Sequence, residues 1–364
     1  MVLVGAQAAL ATTWMVQNPP VPSGAISSNF SDVSCTTGSS CTAVGTYEAS
    51  GSVFETFAEA WNGSSWTLES TPNPTISNLD GVSCVSTSDC IAVGDYSNSG
   101  KLDTLVEHWG GTSWTTESAP SPAHATSSYL IDVACTSATK CTAAGAYYKH
   151  NGDEFTFAET LNGTTWTLHT TPDPAGATMS QFNGISCTSA SACTAVGYYL
   201  SPSFTLLAES WNGTTWTIQP TPLPSGGSDG YFGGVSCSST SACFAVGDYY
   251  DGSGIHTLSE FWNGTSWTPQ TTPSPTKSAG LSGVSCTTFG PCTAVGFKVK
   301  SGQTQTMAEH WNGHSWTVQT TAIPSGSQVS SLASVSCRSK IYCTAVGYYG
   351  DTSGEDFILA EQAS

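Results

Sequence analysis

The sequence predicts an all-β fold, a seven-bladed β-propeller of four-stranded blades, with the last blade closed by the N-terminal strand. The first observation is a unit that recurs every 49 to 52 residues, measured between successive repeated cysteines. The second is that four short strand patterns, separated by turn residues, fill each unit. The third is the absence of any sustained helical periodicity. Units of this size and strand content are typical of a propeller.

Within one unit, the four strands follow a fixed order. The first carries an apolar–Gly–Val–Ser–Cys pattern, as in Leu79–Cys84, and the second reads Cys-x-Ala-Val-Gly. The third, such as 204–211, ends before an Asn-Gly pair, which favours a tight hairpin turn. The fourth begins with Trp and ends at T-P-x-P, because proline cannot donate to a strand ladder and suits an outer edge. Units begin near residues 30, 79, 130, 182, 232, 281 and 332.

The two ends of the chain hold complementary parts of one unit. Residues 358–364 resemble a third strand, and residues 12–18 resemble a fourth strand with its proline stop. We therefore expect residues 1–364 to form a single propeller in which 12–18 completes blade seven. Residues 1–11 are interpreted either as the remnant of a signal peptide or as a disordered start, part of which belongs to the first strand.

Cysteine occurs 14 times, as one C-x5-C pair in each unit. We expect seven local disulfides, because a strand–turn–strand places positions i and i+6 face to face at about 5.5–6 Å between Cα atoms. Zinc and free core thiols are the other readings, although zinc motifs use closer cysteine spacing or histidine partners. Disulfides indicate a secreted or cell-surface protein. The pairs are Cys35 with Cys41, Cys84 with Cys90, Cys135 with Cys141, Cys187 with Cys193, Cys237 with Cys243, Cys286 with Cys292 and Cys337 with Cys343.

Charge excludes several classes of partner. Lys and Arg together number 8 against 26 Asp and Glu, which gives a formal charge of −18. The chain therefore lacks the basic face that nucleic-acid binding or an anionic membrane requires. No apolar run reaches the length of a membrane-spanning helix. We expect no nucleic-acid partner, no membrane insertion and a monomer.

The units resemble bacterial-neuraminidase (Asp-box) repeats, especially those of photosystem-assembly-type propellers. Cys84 and Cys90 stand where those repeats have Phe and Gly, and the W-N-G-x-[ST]-W segment stands where they have D-G-G-x-T-W. The chain is also similar to cysteine-containing repeat proteins of actinobacteria that are thought to be secreted. The resemblance implies the propeller fold and leaves function open. Sialidases of this fold use an arginine triad, which the single arginine, Arg338, excludes.

A glutamate recurs on the third strand of every unit, at 59, 107, 159, 209, 260, 309 and 361. Paired carboxylates carry out glycoside hydrolysis. A residue that repeats in every unit instead indicates a structural role, such as accepting a hydrogen bond from the backbone or from a Trp N–H. The histidines are scattered. We expect no metal site and no cofactor.

Sequence variation concentrates in the loops between the second and third strands and after the fourth strand, which a propeller places on one face. Aromatic rings beside carboxylates are typical of sugar binding. We therefore expect a secreted binding module that recognises a glycan or another extracellular ligand on this face. A protein-interaction scaffold and a carboxylate-dependent glycoside hydrolase or lyase are the alternatives. The candidate ligand-binding residues are Tyr129, Tyr148, His150, Asp153, Glu154, Asp229, Tyr231, Asp248, Tyr250, Asp251, His256 and Asp351.

Overall fold

A computed structural model describes residues 13–288, 290–339 and 342–363. These residues form 28 β-strands. Within the same ranges there is no helix of the length and apolar character needed to cross a membrane. The expected all-β, four-stranded architecture is therefore confirmed, and residues 1–11, with the predicted signal remnant, lie outside the described part of the chain.

The strands form four-stranded antiparallel units, numbered here in chain order. The chain begins with β1 (Trp14–Gln17). Unit 1 contains β2 (Ser27–Thr37), β3 (Ser40–Ala49), β4 (Val53–Trp61) and β5 (Trp66–Glu69). Unit 2 contains β6 (Ser77–Ser86), β7 (Asp89–Asn98), β8 (Lys101–Trp109) and β9 (Trp114–Glu117). Unit 3 contains β10 (Ser127–Ser137), β11 (Lys140–Tyr148), β12 (Glu154–Asn162) and β13 (Thr165–Thr170).

The remaining units repeat this order. Unit 4 contains β14 (Met179–Ser189), β15 (Ala192–Leu200), β16 (Phe204–Trp211) and β17 (Trp216–Ile218). Unit 5 contains β18 (Asp229–Ser239), β19 (Ala242–Tyr250), β20 (Ile255–Trp262) and β21 (Trp267–Pro269). Unit 6 contains β22 (Ala279–Cys286), β23 (Cys292–Lys300), β24 (Gln303–Trp311) and β25 (Trp316–Gln319). Unit 7 contains β26 (Val329–Cys337), β27 (Cys343–Gly350) and β28 (Asp356–Ala363), and β1 pairs with β28.

In the described part of the chain, the sheets are separate apart from two parallel contacts, one of which is an isolated bridge between Ile255 of unit 5 and Ser278, directly before unit 6. Units 3 and 4 join into an eight-stranded sheet through a single parallel pair, Glu154 opposite Met179. In unit 7 the strand order is β1-β28-β27-β26, so β1 occupies the position of a fourth strand. Trp14 lies opposite Ala363 and is 5% exposed, comparable with 6% for Trp66 and 4% for Trp316.

The glycine of the repeated Ala-Val-Gly segment has a steric cause. Each first strand carries a β-bulge, as between Phe232 and Gly234, opposite this glycine. The bulge brings the first strand very close, and a Cβ on Gly247 would lie 1.8 Å from the carbonyl oxygen of Tyr231. Only glycine fits this approach.

The seven predicted disulfides are confirmed, and none of the fourteen cysteines is free. Each bond joins the first strand of a unit to its second strand. The bonded pairs are Cys35 with Cys41, Cys84 with Cys90, Cys135 with Cys141, Cys187 with Cys193, Cys237 with Cys243, Cys286 with Cys292 and Cys337 with Cys343.

The spacing expected for these disulfides was wrong in one respect. The Cα atoms of Cys135 and Cys141 are 3.9 Å apart, and those of Cys337 and Cys343, the widest pair, are 4.1 Å apart. The expected separation was about 5.5–6 Å. The difference arises because the two cysteines are direct cross-strand partners, and such partners approach most closely where no ladder hydrogen bond joins them. The same close approach holds at Cys193 and Cys243, which lie 4.0 Å from Cys187 and Cys237 between Cα atoms.

A serine on the first strand joins neighbouring units. Its Oγ accepts a hydrogen bond from the backbone N–H of the first cysteine in the next unit, as Ser34 does from Cys84 at 3.0 Å. The same bond runs from Cys35 of unit 1 to Ser336 of unit 7, also at 3.0 Å. Ala134 stands at this position in unit 3. The other bonds of this kind are Cys135 to Ser83, Cys237 to Ser186, Cys286 to Ser236 and Cys337 to Ser285.

The fourth-strand tryptophans pack in the interiors between sheets, and several also bond across units. Their indole N–H groups donate to a Glu or Gln of the preceding unit, at or just after its fourth strand, rather than to the repeated third-strand glutamates. The bonds run from Trp14 to Gln319, Trp114 to Glu69, Trp166 to Glu117 and Trp267 to Gln219, at 2.8–3.0 Å. Trp14 therefore makes the same contact as Trp114, Trp166 and Trp267.

Candidate functional site

A central cavity of about 620 Å³ is lined by residues from the first strands of all seven units. It reaches the end of the strands where the second-to-third-strand loops lie, since Tyr231, Asp248 and Tyr348 contribute to its wall. Four carboxylates line it: Asp32, Asp80, Asp132 and Asp248. None of the described residues that line it is Lys, Arg or His.

Two of these carboxylates connect neighbouring units. Asp32 accepts hydrogen bonds from the backbone N–H groups of Val33 at 2.8 Å and of Val82, in unit 2, at 2.7 Å. Asp132 accepts equivalent bonds from Val133 and from Ile185 of unit 4, both at 2.7 Å. Their oxygens are therefore engaged in holding the units together.

The local environment disfavours ionisation of both groups. Burial raises the pKa of Asp32 to about 6, although the hydroxyl of Ser334 and two backbone N–H groups donate to it. Burial, and then the charge of Asp32, raise the pKa of Asp132 well above its usual range. This wall of the cavity is therefore partly protonated near neutral pH.

Asp80 belongs to unit 2, which lies between unit 1, with Asp32, and unit 3, with Asp132. Burial raises its pKa to about 8, and the nearby charge of Asp95 adds to the shift. Burial also raises the pKa of Asp95, which accepts a hydrogen bond from Asn78 Nδ2 at 3.3 Å. Burial therefore favours the protonated form of Asp80 near neutral pH.

On units 3 and 4, aromatic and acidic side chains form a connected network. The Tyr129 hydroxyl donates to Glu154, and the Tyr129 and Tyr148 rings lie 6.2 Å apart. Burial raises the pKa of Glu154, while hydrogen bonds from Tyr129 and Tyr148 lower it. The charge of Glu154 also contributes to the raised pKa of Tyr198 in unit 4, after burial. Three of the predicted site residues therefore meet here.

A chain of hydrogen bonds connects unit 4 to the cavity. The Tyr198 hydroxyl donates to Gln181 Oε1 at 2.9 Å, and Gln181 Nε2 donates to Asn183 Oδ1 at 3.1 Å. Asn183 lines the cavity and donates to the carbonyl oxygen of Phe232 in unit 5 at 2.7 Å.

The rings of Tyr198, Phe204 and Tyr231 form an aromatic cluster across units 4 and 5. Tyr231 lies 5.1 Å from Tyr198 and 4.9 Å from Phe204, between ring centroids. Tyr231 is only partly buried and is directly opposite Asp248 on the neighbouring strand. Burial raises the pKa of Asp248 to about 6. Tyr231 and Asp248 thus place an aromatic ring beside a carboxyl group at the mouth of the cavity, which we call the mouth pair.

The other predicted residues lie in loops or at the ends of strands, and their hydrogen bonds are local. His150 is exposed, and Asp153 accepts from Asn151 Nδ2 at 2.7 Å in the same loop. Asp229 accepts from Ser228, and Asp351 accepts from the backbone N–H of Ser353 at 2.7 Å. Tyr250 is 44% exposed. Their contacts do not extend to the mouth pair, except that the charge of Asp229 contributes to the raised pKa of Tyr231.

Asp251, Ser253 and His256 resemble a hydrolytic triad in composition only. His256 Nε2 lies 3.0 Å from Asp251 Oδ1 and 3.3 Å from Ser253 Oγ. In a working triad the two ring nitrogens face serine and aspartate separately. Here one nitrogen faces both, and Ser253 also donates directly to Asp251 at 2.7 Å. The arrangement is a loop turn in which the Asp251 carboxylate accepts hydrogen bonds from the backbone N–H and the hydroxyl of Ser253.

The repeated third-strand glutamates are fully buried, each at 0% exposure. Glu361 accepts from the backbone N–H of Ala322 at 3.1 Å. In most other units the residue equivalent to Ala322 is a proline, which has no N–H to donate. Burial raises their pKa values: to about 8 for Glu59, Glu107, Glu159 and Glu260, about 9 for Glu209, and about 7 for Glu309 and Glu361. They do not line the central cavity.

The candidate residues predicted from the sequence did not include the cavity residues Asp32, Asp80 and Asp132, or Tyr198. A signal for them was present, because the two residues before Val-Ser-Cys differ between units, from Ser-Asp at 31–32 to Gly-Gly at 233–234. Among the described residues, no group of three or more His, Cys, Asp or Glu is arranged to hold a metal ion.

No known family model matches the chain, and no curated protein matches it. Among solved structures, it is similar to YCF48 bound to a D1 peptide, with a TM-score of 0.57, 12% identity, and coverage of 98% of this chain and 97% of that one. It is also similar to a protein of unknown function from Dyadobacter fermentans, with a TM-score of 0.56, 9% identity and 98% coverage of both chains. These neighbours are β-propeller proteins, so the expected fold is supported.

Proposed function

We propose that this chain is a binding module that holds a glycan over the mouth of its central cavity. The observation that carries the proposal is the mouth pair, Tyr231 beside Asp248, which is continuous with the Tyr198–Phe204 rings and the polar cavity wall. An apolar sugar face stacks on an aromatic ring, while sugar hydroxyls need directed polar partners. Both are present within one patch, as small-ligand sites require.

The charge of the cavity lining supports a restriction on the charge of the glycan that can bind. The described cavity lining contains four carboxyl groups and no basic side chain, and the chain carries a formal charge of −18. Asp248, with a pKa of about 6, is mostly ionised at neutral pH, so an anionic sugar at the mouth would meet a negative charge that no basic side chain of the described lining compensates. The module therefore prefers neutral or amino sugars to sialic acids, uronic acids or sulfated sugars.

We also propose that the seven units close into a single ring spanning residues 1–364, a seven-bladed propeller. Two contacts support closure: the Cys35–Ser336 hydrogen bond between units 1 and 7, and the pairing of β1 with β28. A ring gives the central cavity its continuous wall. We further propose that the protein is secreted or displayed at the cell surface as a monomer, and the seven disulfides support the extracellular location.

A glycan array probed with the labelled, disulfide-intact protein tests the binding proposal. We expect signal on neutral or amino glycans and none on sialylated or sulfated ones. The best ligand is then titrated against wild type and Asp248→Asn, which keeps the side-chain shape and removes the charge. Loss of a charge-assisted hydrogen bond is expected to weaken binding about tenfold.

Asp251→Asn is the matched control, because Asp251 is an aspartate of the same unit in a peripheral loop. It is expected to leave affinity unchanged. An array without any glycan signal would remove the proposal and favour the protein-interaction alternative. Equal weakening by the two variants would place the ligand outside the mouth pair.

A further inference from the structure

A second cavity, of about 350 Å³, lies between units 5 and 6 at the opposite end of the strands from the mouth pair. Its walls include the rings of Phe244, Phe261 and Trp311 and the Cys286–Cys292 disulfide. None of the described residues that line it is charged. We refer to it as the unit 5/6 cavity.

The unit 5/6 cavity depends on two residues that break the repeat. Phe244 and Phe261 lie directly opposite each other on β19 and β20. In every other unit, neither residue of this cross-strand pair is Phe, Tyr or Trp. The equivalent pairs are Thr42 with Ala60, Ile91 with His108, Thr142 with Thr160, Thr194 with Ser210, Thr293 with His310, and Thr344 with Gln362.

The neighbouring hairpin of unit 6 forms the other side of the cavity. In unit 5 the ladder continues past the disulfide to Ser239 opposite Ala242, whereas in unit 6, as in unit 7, it ends at the disulfide, here Cys286 opposite Cys292. The chain then turns through Gly290, which has a φ of +102°. The aromatic pair Phe244 and Phe261 is therefore the feature that sets this cavity apart from its counterparts in the other units.

The aromatic rings of the wall pack against one another in tilted contacts, and Phe244 is buried between its neighbours. The Phe244 ring lies 5.0 Å from Phe261 and 5.2 Å from Trp311, at interplanar angles of 49° and 55°. Phe261 and Trp311 remain partly exposed. Their exposed faces can contact a further aromatic ring in the edge or offset geometry that aromatic pairs prefer. A cavity of this size and composition is within the range of small-ligand sites.

We propose that the unit 5/6 cavity binds a small, uncharged aromatic molecule of the size of indole or phenol. An uncharged ligand is required because the described lining has no group that could compensate a charge. One directed contact is available. Gln270 lines the cavity and donates its Nε2 to the Thr268 carbonyl at 3.0 Å, so its amide oxygen can accept an N–H or O–H of the ligand.

Calorimetric titration with indole tests this site, with tryptamine and indole-3-acetate as cationic and anionic probes of the same ring. Wild type is expected to bind indole and to bind both charged probes at least about tenfold more weakly. Phe244→Thr with Phe261→Ser restores the pair found in unit 4 and is expected to weaken indole binding at least about tenfold. Ala242→Leu fills the cavity without removing a ring and should have the same effect if the double variant does not fold.

Two controls separate this site from others. Ile91→Thr makes the corresponding change in unit 2 and is expected to leave indole affinity unchanged. Asp248→Asn, at the mouth pair, should also leave it unchanged. The proposal is overturned if wild type binds no indole at millimolar concentration, if both cavity variants bind it as wild type does, or if the three probes bind equally.

Discussion

Replacement of Trp14 by alanine tests whether β1 completes unit 7. The Trp14 ring is 5% exposed and packs in one core cluster with Val335, Leu359 and Ala363, and its indole N–H donates to Gln319 at 3.0 Å. Removal of a buried Trp typically costs about 3–5 kcal/mol of unfolding free energy. It also leaves the side-chain oxygen of Gln319 without this donor. That loss is a large part of a typical stability of about 5–15 kcal/mol.

The assay is urea-induced unfolding of the disulfide-intact protein, followed by far-UV circular dichroism. Trp114→Ala is the matched comparison, because Trp114 is 4% exposed and donates to Glu69 in the same way. We expect the two variants to lose similar stability. Met15→Ala, on the same strand as Trp14 but 51% exposed, should change stability by no more than about 0.5 kcal/mol. If Trp14→Ala unfolds like Met15→Ala, β1 does not stabilise the ring and the closure argument fails.

Three further predictions concern the repeated contacts. The buried third-strand glutamates keep their protons in the folded state up to about pH 7–9, whereas unfolded chains lose them near pH 4.5, so the melting temperature should fall as pH rises from 5 to 9. Glu107→Gln should make that fall shallower, and a melting temperature that rises over this range would contradict the assignment. Ala134→Ser should supply the missing acceptor for the Cys187 N–H and raise stability by about 0.5–1.5 kcal/mol in the same urea assay, and no gain would contradict the proposed inter-unit bond. Non-reducing peptide mapping should recover seven local cross-links, and cross-links between units would refute the pairing.

The strand pattern and the disulfides could be predicted from the sequence because both depend on local spacing. A C-x5-C pair closes within one hairpin, and its geometry is independent of where the rest of the chain lies. The position of Trp14 was predictable for a related reason. It is the only fourth-strand pattern without its own unit, and the repeat itself supplies the missing partner.

The site was only partly predictable, because the sequence indicates which face a loop occupies but not its distance from the central axis. Tyr231 and Tyr250 both belong to the variable face of unit 5, yet only Tyr231 reaches the cavity, since it lies on the inner strand. Asp132 was missed because its role depends on the bulge that turns it toward the backbone of unit 4. The variation before Val-Ser-Cys marks this position in the sequence, but it does not indicate which unit the side chain contacts.

The most direct test of the account is a crystal structure of the protein with the best glycan from the array. We expect the sugar ring to stack on Tyr231 and its hydroxyls to contact Asp248 at the mouth of the central cavity. A glycan bound at the peripheral loops that carry His150 or Asp251, with the mouth pair free, would contradict the central claim.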